Sequence, residues 1–292
     1  MSISSGAPSG HTPLQEVART ALLAGLSTIV AGGAAAQSAA AAPEAVPAGV
    51  TVYAAGSLRT ALTEAAQAFE RQSGTRVAFN FGPSGLLKDK LLAGERADVF
   101  ASANMEHPQA LAAAGRSGAA RPFARNALCL LGAPSFSLNG QDVAQRLLDP
   151  ALRVGTSTPG ADPAGDYAWR FFDKVESSGA AGPGSAQRLK DRALQLAGGP
   201  ASPTPPPGRS VYAWLLDEKQ ADVFITYCTN ATLAVRESRA LQVLPLPQKL
   251  EVAATYGLAV LQGATPAAEA FTRFLLGEGG QSVLRSWGFG PP

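Results

Sequence analysis

Short runs of β-branched and aromatic residues alternate along this chain with stretches in which apolar residues recur every three or four positions. The run Val50–Ala55 predicts a strand, and the stretch after it has the apolar spacing of a helix. Ser57 is placed to cap that helix, and Gly74 is placed to end it. The pattern therefore predicts a strand that turns directly into an amphipathic helix.

The same alternation continues to the end of the chain. Further strands are predicted at residues 76–81, 97–101, 127–131, 153–155, 223–227 and 256–261. Further helices are predicted at residues 86–92, 143–148, 164–175, 210–219, 266–276 and 280–287. The Gly- and Pro-rich stretch 177–208 is expected to be the least ordered, with room for one helix. Strands that alternate with helices are typical of a parallel sheet covered by helices on both faces.

A short echo links the two halves of the chain. Residues 94–100 read GERADVF and residues 218–224 read EKQADVF. A chance match at a common helix-to-strand turn is the favoured interpretation, and two similar lobes would also produce it.

The composition is that of a globular protein with a large core. Hydrophobic residues make up 46% of the chain, charged residues make up 16%, and the net charge is +2. A chain with so little excess charge has no field that would favour nucleic acid or an anionic membrane surface as a partner.

Residues 1–42 differ from the rest and are predicted to be a signal peptide and linker. An apolar run at residues 21–36 follows Arg19 and leads into small residues, with cleavage expected near Ala36 or Ala42. No later segment is apolar enough to cross a membrane. The sequence therefore predicts an exported protein, located in the periplasm of a Gram-negative cell.

Cysteine and histidine are too sparse to suggest a metal site or a His-based enzyme. Cys129 and Cys228 lack metal-type spacing, and two small buried side chains is the favoured interpretation, with a disulfide left open for an exported protein. His11 lies in the segment expected to be removed, and His107 is predicted to be an exposed turn residue.

Three predicted helix starts follow strand ends, where free backbone N–H groups and the helix dipole favour an anion. They carry Ser57, Ser84 and Ala164, the last in a Pro-Ala-Gly sequence. Each serine alone would usually be a helix cap. Together they predict a dry pocket of neutral donors, which suits a small, fully ionised anion. A protonated anion would lack an acceptor in such a pocket.

These residues carry a resemblance to a known family. Residues 50–74 read VTVYAAGSLRTALTEAAQAFERQSG, and residues 79–104 read FNFGPSGLLKDKLLAGERADVFASAN. With the closing Trp287-Gly288-Phe289, these motifs resemble the periplasmic molybdate-binding proteins, type II solute-binding proteins of ABC transporters. The resemblance runs from about Val50 to Phe289.

The resemblance implies an oxyanion held by hydroxyls and backbone amides. Its binding residues fall on Ser57, Ser84, Ala164, Arg209 and Tyr227. Molybdate or tungstate is the implied ligand, so a metal is expected only within the oxyanion, and no resident cofactor is expected. Arg209 and Tyr227 enter through the resemblance alone.

Two features depart from the family pattern. The loop before Arg209 is long and Pro-rich, and its guanidinium is either a solvated surface charge or an added anion contact. Thr229 and Asn230 follow Tyr227 and are interpreted as helix-capping residues, with extra polar donors as the alternative.

The implied fold is α/β and two-lobed, each lobe a mixed sheet flanked by helices. The predicted domains are residues 50–125 for the first part of lobe 1, residues 126–255 for lobe 2, and residues 256–292 as a return segment that packs at the hinge and on lobe 1. Two crossings, near residues 125–126 and 254–256, are expected to form a hinge. The implied partner is an ABC permease in the inner membrane, and the protein is expected to act as a monomer.

Three alternatives remain open at this stage. The same fold could bind sulfate, phosphate or an organic anion. A hydrolase with Ser57 or Ser84 as nucleophile would need a base, but the sequence lacks a G-x-S-x-G motif, and His107 is the sole histidine after residue 42. A sensor with a receptor fold is the third alternative.

Overall fold

The computed structural model describes residues 49–292, so the predicted signal peptide, its cleavage region and His11 lie outside the described residues. In chain order the strands are β1 (Val50–Ala55), β2 (Val77–Gly82), β3 (Val99–Ser102), β4 (Arg121–Gly132), β5 (Val154–Ser157), β6 (Leu194–Ala197), β7 (Val223–Tyr227), β8 (Gln242–Pro245) and β9 (Ala253–Val260). The α-helices are α1 (Arg59–Ser73), α2 (Ser84–Leu92), α3 (Glu106–Ala113), α4 (Val143–Leu147), α5 (Pro163–Ser177), α6 (Ser185–Arg192), α7 (Val211–Asp217), α8 (Cys228–Glu237), α9 (Pro266–Leu276) and α10 (Glu278–Ser286).

Six of the strands form two parallel groups. In the first strand group, β1 lies between β2 and β3, and all three run parallel. In the second strand group, β5 lies between β6 and β7, again all parallel. Helices flank both groups, which confirms the predicted α/β class. The carboxyl ends of each group lead into the loops that carry the predicted site residues.

Two long antiparallel strands join the groups. Strand β9 pairs with β3 on one side and with β4 on the other, and β4 pairs onward with β7. Arg125 lies opposite Thr255, and Asn126 lies opposite Ala254. The two predicted crossings are therefore neighbours in one ladder. The domain boundaries and the hinge stay predictions.

The sequence echo marks equivalent positions in the two strand groups. Asp98 donates its N–H to Thr51 O at 2.8 Å, and its carboxylate accepts from the Thr51 N–H at 2.8 Å. Asp222 makes the same reciprocal pair with Arg153, at 2.9 and 2.8 Å. Each aspartate thus ties the start of a strand to the start of its parallel neighbour. The repeated motif therefore has the same structural role in both strand groups, as two similar lobes would produce.

Helix α1 shows how the pattern produces packing. Its buried face carries Leu62, Ala65 and Phe69 at helical spacing, and it packs against the core of the first strand group. The helix ends at Gly74, whose φ of 70° is left-handed and whose N–H closes the last turn onto Glu70 O. This agrees with the end predicted from the sequence.

Some elements were not predicted. Residues 177–208 contain strand β6 as well as helix α6, and helix α8 begins at Cys228. The N-cap of α8 is Tyr227, with no capping side chain, so the capping interpretation of Thr229 and Asn230 is wrong. Their side chains instead bond to Asn126 and Thr226.

Cys129 and Cys228 form a disulfide, so the favoured interpretation of two unpaired cysteines is wrong. The bridge joins β4 to the first residue of α8, directly after Tyr227. The antiparallel register brings the two close, because Cys129 lies opposite Thr226 on β7. Separately, no helix among residues 49–292 combines the length and apolar character that a membrane crossing requires.

Candidate oxyanion site

Ser57 lies in a turn of 3-10 helix, Gly56–Leu58, between β1 and α1. Its side chain does not cap the helix, which corrects the sequence prediction. The hydroxyl oxygen lies 3.0 Å from the hydroxyl oxygen of Tyr256 on β9. Ser57 is therefore hydrogen-bonded to β9, one of the two strands that join the groups.

Tyr256 belongs to a small polar network that the sequence did not reveal. Asn126 on β4 donates one amide hydrogen to Tyr256 Oη at 3.2 Å and the other to Thr229 Oγ1 at 2.9 Å. All three side chains are buried. The available signal was that Asn126 and Tyr256 lie at the two predicted crossings. Sequence spacing alone does not show that their side chains meet.

Ser84 is the first residue of α2 and is 1% exposed. Its hydroxyl accepts a hydrogen bond from the Ala103 N–H at 3.2 Å, in the loop after β3. The hydroxyl of Tyr227, at the end of β7, donates to Ala103 O at 3.4 Å. The backbone of Ala103 therefore links a predicted site residue of the first strand group to one of the second.

Ala164 is the second residue of α5, after Pro163. Its N–H, the donor implied by the resemblance, is bonded to the carboxylate of Asp162 at 3.1 Å. Asp162 is the N-cap of α5, a common place for aspartate. The expectation of a pocket with neutral donors alone is therefore incomplete, because a carboxylate lies beside Ala164.

The strand groups also touch next to Ser84 and Ala164. The Gly85 N–H donates to Ala161 O at 2.8 Å. A Cβ atom at Gly85 would lie 2.1 Å from Gly160 O and 2.7 Å from Ala161 O, so the contact requires glycine. Nearby, Arg170 of α5 donates to Glu106 of α3 at 2.8 Å.

Arg209 is the predicted site residue that does not join the others. Its partly exposed guanidinium pairs with Glu237 at 2.7 Å and with Asp217 at 2.6 Å, and its backbone N–H donates to Pro206 O. The solvated-charge interpretation of Arg209 agrees with this placement. Helix α7 begins two residues later, at Val211, so Arg209 is not at the helix start where the resemblance places its donor.

The tyrosines near the site stay protonated at neutral pH. The rings of Tyr227 and Tyr256 are 5.5 Å apart, and that of Tyr167 is 6.2 Å from Tyr227. Burial is the largest cause that raises the pKa of Tyr227 and of Tyr256. These hydroxyls are therefore neutral and place no negative charge near a bound anion.

His107 is partly buried in the first turn of α3, so the prediction of an exposed turn residue is wrong. Its Nδ1 lies 3.4 Å from Ser102 Oγ. Burial, with a smaller contribution from the charge of Lys88, lowers the pKa of His107 to about 4. The contacts of this histidine are with Ser102 and Asn104, not with Ser57 or Ser84.

Comparison with known proteins defines the class of protein to which this chain belongs. The model of the bacterial extracellular solute-binding protein family matches residues 50–290. The protein PM1146 of Pasteurella multocida is 38% identical over 241 residues, covering 82% of this chain and 98% of that protein. The molybdate-binding protein ModA of Haemophilus influenzae is 27% identical over 251 residues, covering 82% of this chain and 89% of that protein.

Solved structures share the fold. The sulfate-binding protein SubI of Mycobacterium tuberculosis superposes with a TM-score of 0.68 at 21% identity, covering 84% of this chain and 87% of that one. The periplasmic molybdate-binding protein of Azotobacter vinelandii superposes with a TM-score of 0.63 at 18% identity, covering 83% and 99%. At these identities the likeness establishes the fold alone.

The family match and the fold together define a solute-binding protein of the ABC-transporter type. The chain belongs to the family of bacterial extracellular solute-binding proteins. The resemblance to the molybdate-binding class and the α/β receptor fold are thereby confirmed. The family and the structural neighbours are binding proteins and not enzymes, which removes the hydrolase alternative for Ser57 and Ser84.

Proposed function

We propose that this protein captures a tetrahedral oxyanion at Ser57, Ser84, Ala164 and Tyr227 and delivers it to an ABC permease. Molybdate and tungstate are the first candidates, bound without a resident cofactor. The protein would do so in the periplasm, after removal of residues 1–42. Arg209 is left out of the proposed site.

The link through Ala103 carries the proposal. Ser84 contacts the N–H of this residue and Tyr227 contacts its carbonyl, so groups from both strand groups meet at one point. Each lies at or just after the carboxyl end of a parallel strand, where small ligands bind in open α/β sheets. An anion bound there would gain donors from both groups and would favour their approach.

The orientation of Ser57 also supports anion binding. Tyr256 Oη already accepts from Asn126, so its own proton is available to Ser57 Oγ, 3.0 Å away. Ser57 can then direct its hydrogen at a ligand. A hydroxyl held in this way is a donor prepared before the anion arrives.

Relatives support the choice of first ligand. The Haemophilus influenzae relative is a molybdate-binding protein. Sulfate is the second candidate, because SubI, which shares the fold, is a sulfate-binding protein. Both anions are tetrahedral and fully ionised at neutral pH, and they differ in size.

Calorimetric titration of the protein lacking residues 1–42 tests the proposal with molybdate, tungstate, sulfate and phosphate in turn. We expect one anion bound per chain. Ser57→Ala and Ser84→Ala should each weaken binding by about 1–3 kcal/mol, because a buried ligand oxygen loses its partner. Ser282→Ala, on the exposed side of α10, is the matched control and should bind like the unmodified protein.

Each result has a defined meaning. Tight binding of molybdate and tungstate without sulfate would support the first candidates. Binding of sulfate or phosphate alone would keep the oxyanion site and change its ligand. No heat with any of the four anions, or unchanged affinity in both site variants, would overturn the proposal.

A further inference from the structure

The carboxylate of Asp162 is the feature of the site that a receptor for a fully ionised anion does not need. It lies at the start of α5, one residue from Pro163, and bonds to the Ala164 N–H at 3.1 Å. A Cβ atom at Gly198 would lie 2.4 Å from Asp162 Oδ2, so the loop after β6 covers this carboxylate closely.

Among residues 49–292, no positively charged side chain balances Asp162. Ser157 faces it from the end of β5, and the hydroxyl of Tyr212, on α7, lies 3.4 Å from Ser157 Oγ. Asp166, one turn along α5, is the charged neighbour, and it is another carboxylate. The guanidinium of Arg170 on the same helix is paired with Glu106.

Burial is the largest influence on Asp162 and raises its pKa above the usual range. Hydrogen bonds from the Ala164 N–H and from Ser157 oppose this shift, and the charge of Asp166 adds to it. An oxyanion bound at Ala164 would bring further negative charge to the same carboxylate and would raise that pKa again. Two unpaired negative groups in contact would be strongly unfavourable.

We propose that the ligand-bound site holds one proton between Asp162 and the oxyanion, so that Asp162 determines which protonation state of a ligand is accepted. The inference rests on the proposed function of oxyanion capture. A fully ionised anion such as molybdate or sulfate binds together with one proton from solvent, which resides on Asp162. Hydrogen phosphate brings its own proton and donates it to the Asp162 carboxylate.

A purely structural role as the N-cap of α5 is the competing explanation. Asp162→Asn separates the two, because an asparagine Oδ1 still accepts from the Ala164 N–H and carries no exchangeable charge. Asp191→Asn, on the exposed surface of α6, is the matched control for loss of one carboxylate.

The experiment is calorimetric titration with molybdate and sulfate at about pH 8, in buffers of different ionisation enthalpy, followed by the same titrations from about pH 6 upward. The protein with Asp162 should take up about one proton per anion, and its affinity should fall about tenfold per pH unit. Asp162→Asn should take up none and bind with pH-independent affinity. Asp191→Asn should behave like the unmodified protein.

Phosphate provides a second comparison. At about pH 8 it is mainly hydrogen phosphate, so it should bind with about one proton less uptake than sulfate. In Asp162→Asn the affinity for sulfate relative to phosphate should rise by about tenfold or more, because the negative charge that repels sulfate and accepts the ligand proton most strongly is lost.

The outcomes separate this inference from the proposed function. An anion that binds without proton uptake and with pH-independent affinity would overturn the role of Asp162 and leave oxyanion capture intact. The same proton uptake in Asp162→Asn would also overturn it. If no anion binds, the proposed function fails and the inference fails with it.

Discussion

The phenolic oxygen of Tyr256 lies 3.0 Å from the hydroxyl oxygen of Ser57, across 199 residues of sequence. Tyr256 lies on β9, opposite Ala124 of β4, in the ladder that joins the two strand groups. A proposed ligand contact is therefore bonded to the region where a hinge is predicted. Binding at Ser57 and the arrangement of the two strand groups are expected to be coupled.

This pairing predicts a non-additive effect on affinity. Ser57→Ala should weaken oxyanion binding by about 1–3 kcal/mol, and Tyr256→Phe by about 0.5–1.5 kcal/mol, because the serine loses its orienting partner. The double variant should cost little more than Ser57→Ala alone, since the tyrosine acts through the serine. Calorimetric titration of the four proteins measures the coupling, and simple additivity would show that the two hydroxyls act independently.

The sequence predicted the alternation of elements well, because local periodicity determines it. The register between distant strands was harder, and the Asp98 and Asp222 echo illustrates why. Each aspartate bonds to the start of a neighbouring strand, Thr51 or Arg153, and those partners are 47 and 69 residues away. A repeated motif in the sequence does not show which distant residue each aspartate contacts.

The candidate site was predicted only in part, because local periodicity locates strand ends but not the contacts between distant residues. Ser84 and Tyr227 lie at strand ends, which the pattern locates, and both contact Ala103. Asp162 was not predicted as part of the site, because its closeness to Gly198 depends on strand β6, which Gly- and Pro-rich flanks concealed. Arg209 does not lie with the other predicted site residues, because its guanidinium is paired with Glu237 and Asp217 on the surface.

The disulfide is expected to be a large contributor to stability. Cys129→Ala with Cys228→Ala should lower the free energy of unfolding by about 2–5 kcal/mol, because the bridge closes a loop of 99 residues in the unfolded chain. Chemical denaturation measures the difference. The unmodified protein in reductant is the control and should match the double variant, and equal stability with and without reductant would contradict the prediction.

His107 predicts an acid-dependent loss of stability. Its pKa falls from 6.5 in the unfolded chain to about 4 in the folded protein, chiefly through burial. The unfolded chain therefore binds the proton first, so stability is complete above the higher value and is lost as the pH falls toward the lower one. Allowing for partial exposure, the loss should be on the order of 2 kcal/mol.

The measurement is thermal unfolding of the unmodified protein and of His107→Gln across this pH range. The variant should lose less stability on acidification, whatever its stability at neutral pH. His107 is the sole histidine once residues 1–42 are removed, so its imidazole signals can be followed by NMR in the folded protein. An imidazole that titrates at its ordinary pKa would contradict the structure here.

Gly85 tests whether the contact between the strand groups is part of ligand capture. A methyl group at this position would collide with Gly160 O and Ala161 O, so Gly85→Ala must push the two groups apart locally. If the contact belongs to the ligand-bound arrangement, the variant should bind the oxyanion more weakly by about 1–3 kcal/mol. Gly118→Ala, where the nearest atom is Val260 O at 3.8 Å, is the matched control.

A comparison of affinity with stability separates the explanations for Gly85→Ala. Without ligand the groups can move apart and relieve the collision, so the melting temperature should fall little relative to Gly118→Ala. With ligand bound the groups cannot move apart, so the collision remains. The rise in melting temperature that saturating oxyanion gives should therefore be smaller than in the unmodified protein. Equal affinity in the two glycine variants would mean that the Gly85–Ala161 contact is not needed for capture, whereas an equal loss of stability with and without ligand would make it a general packing contact.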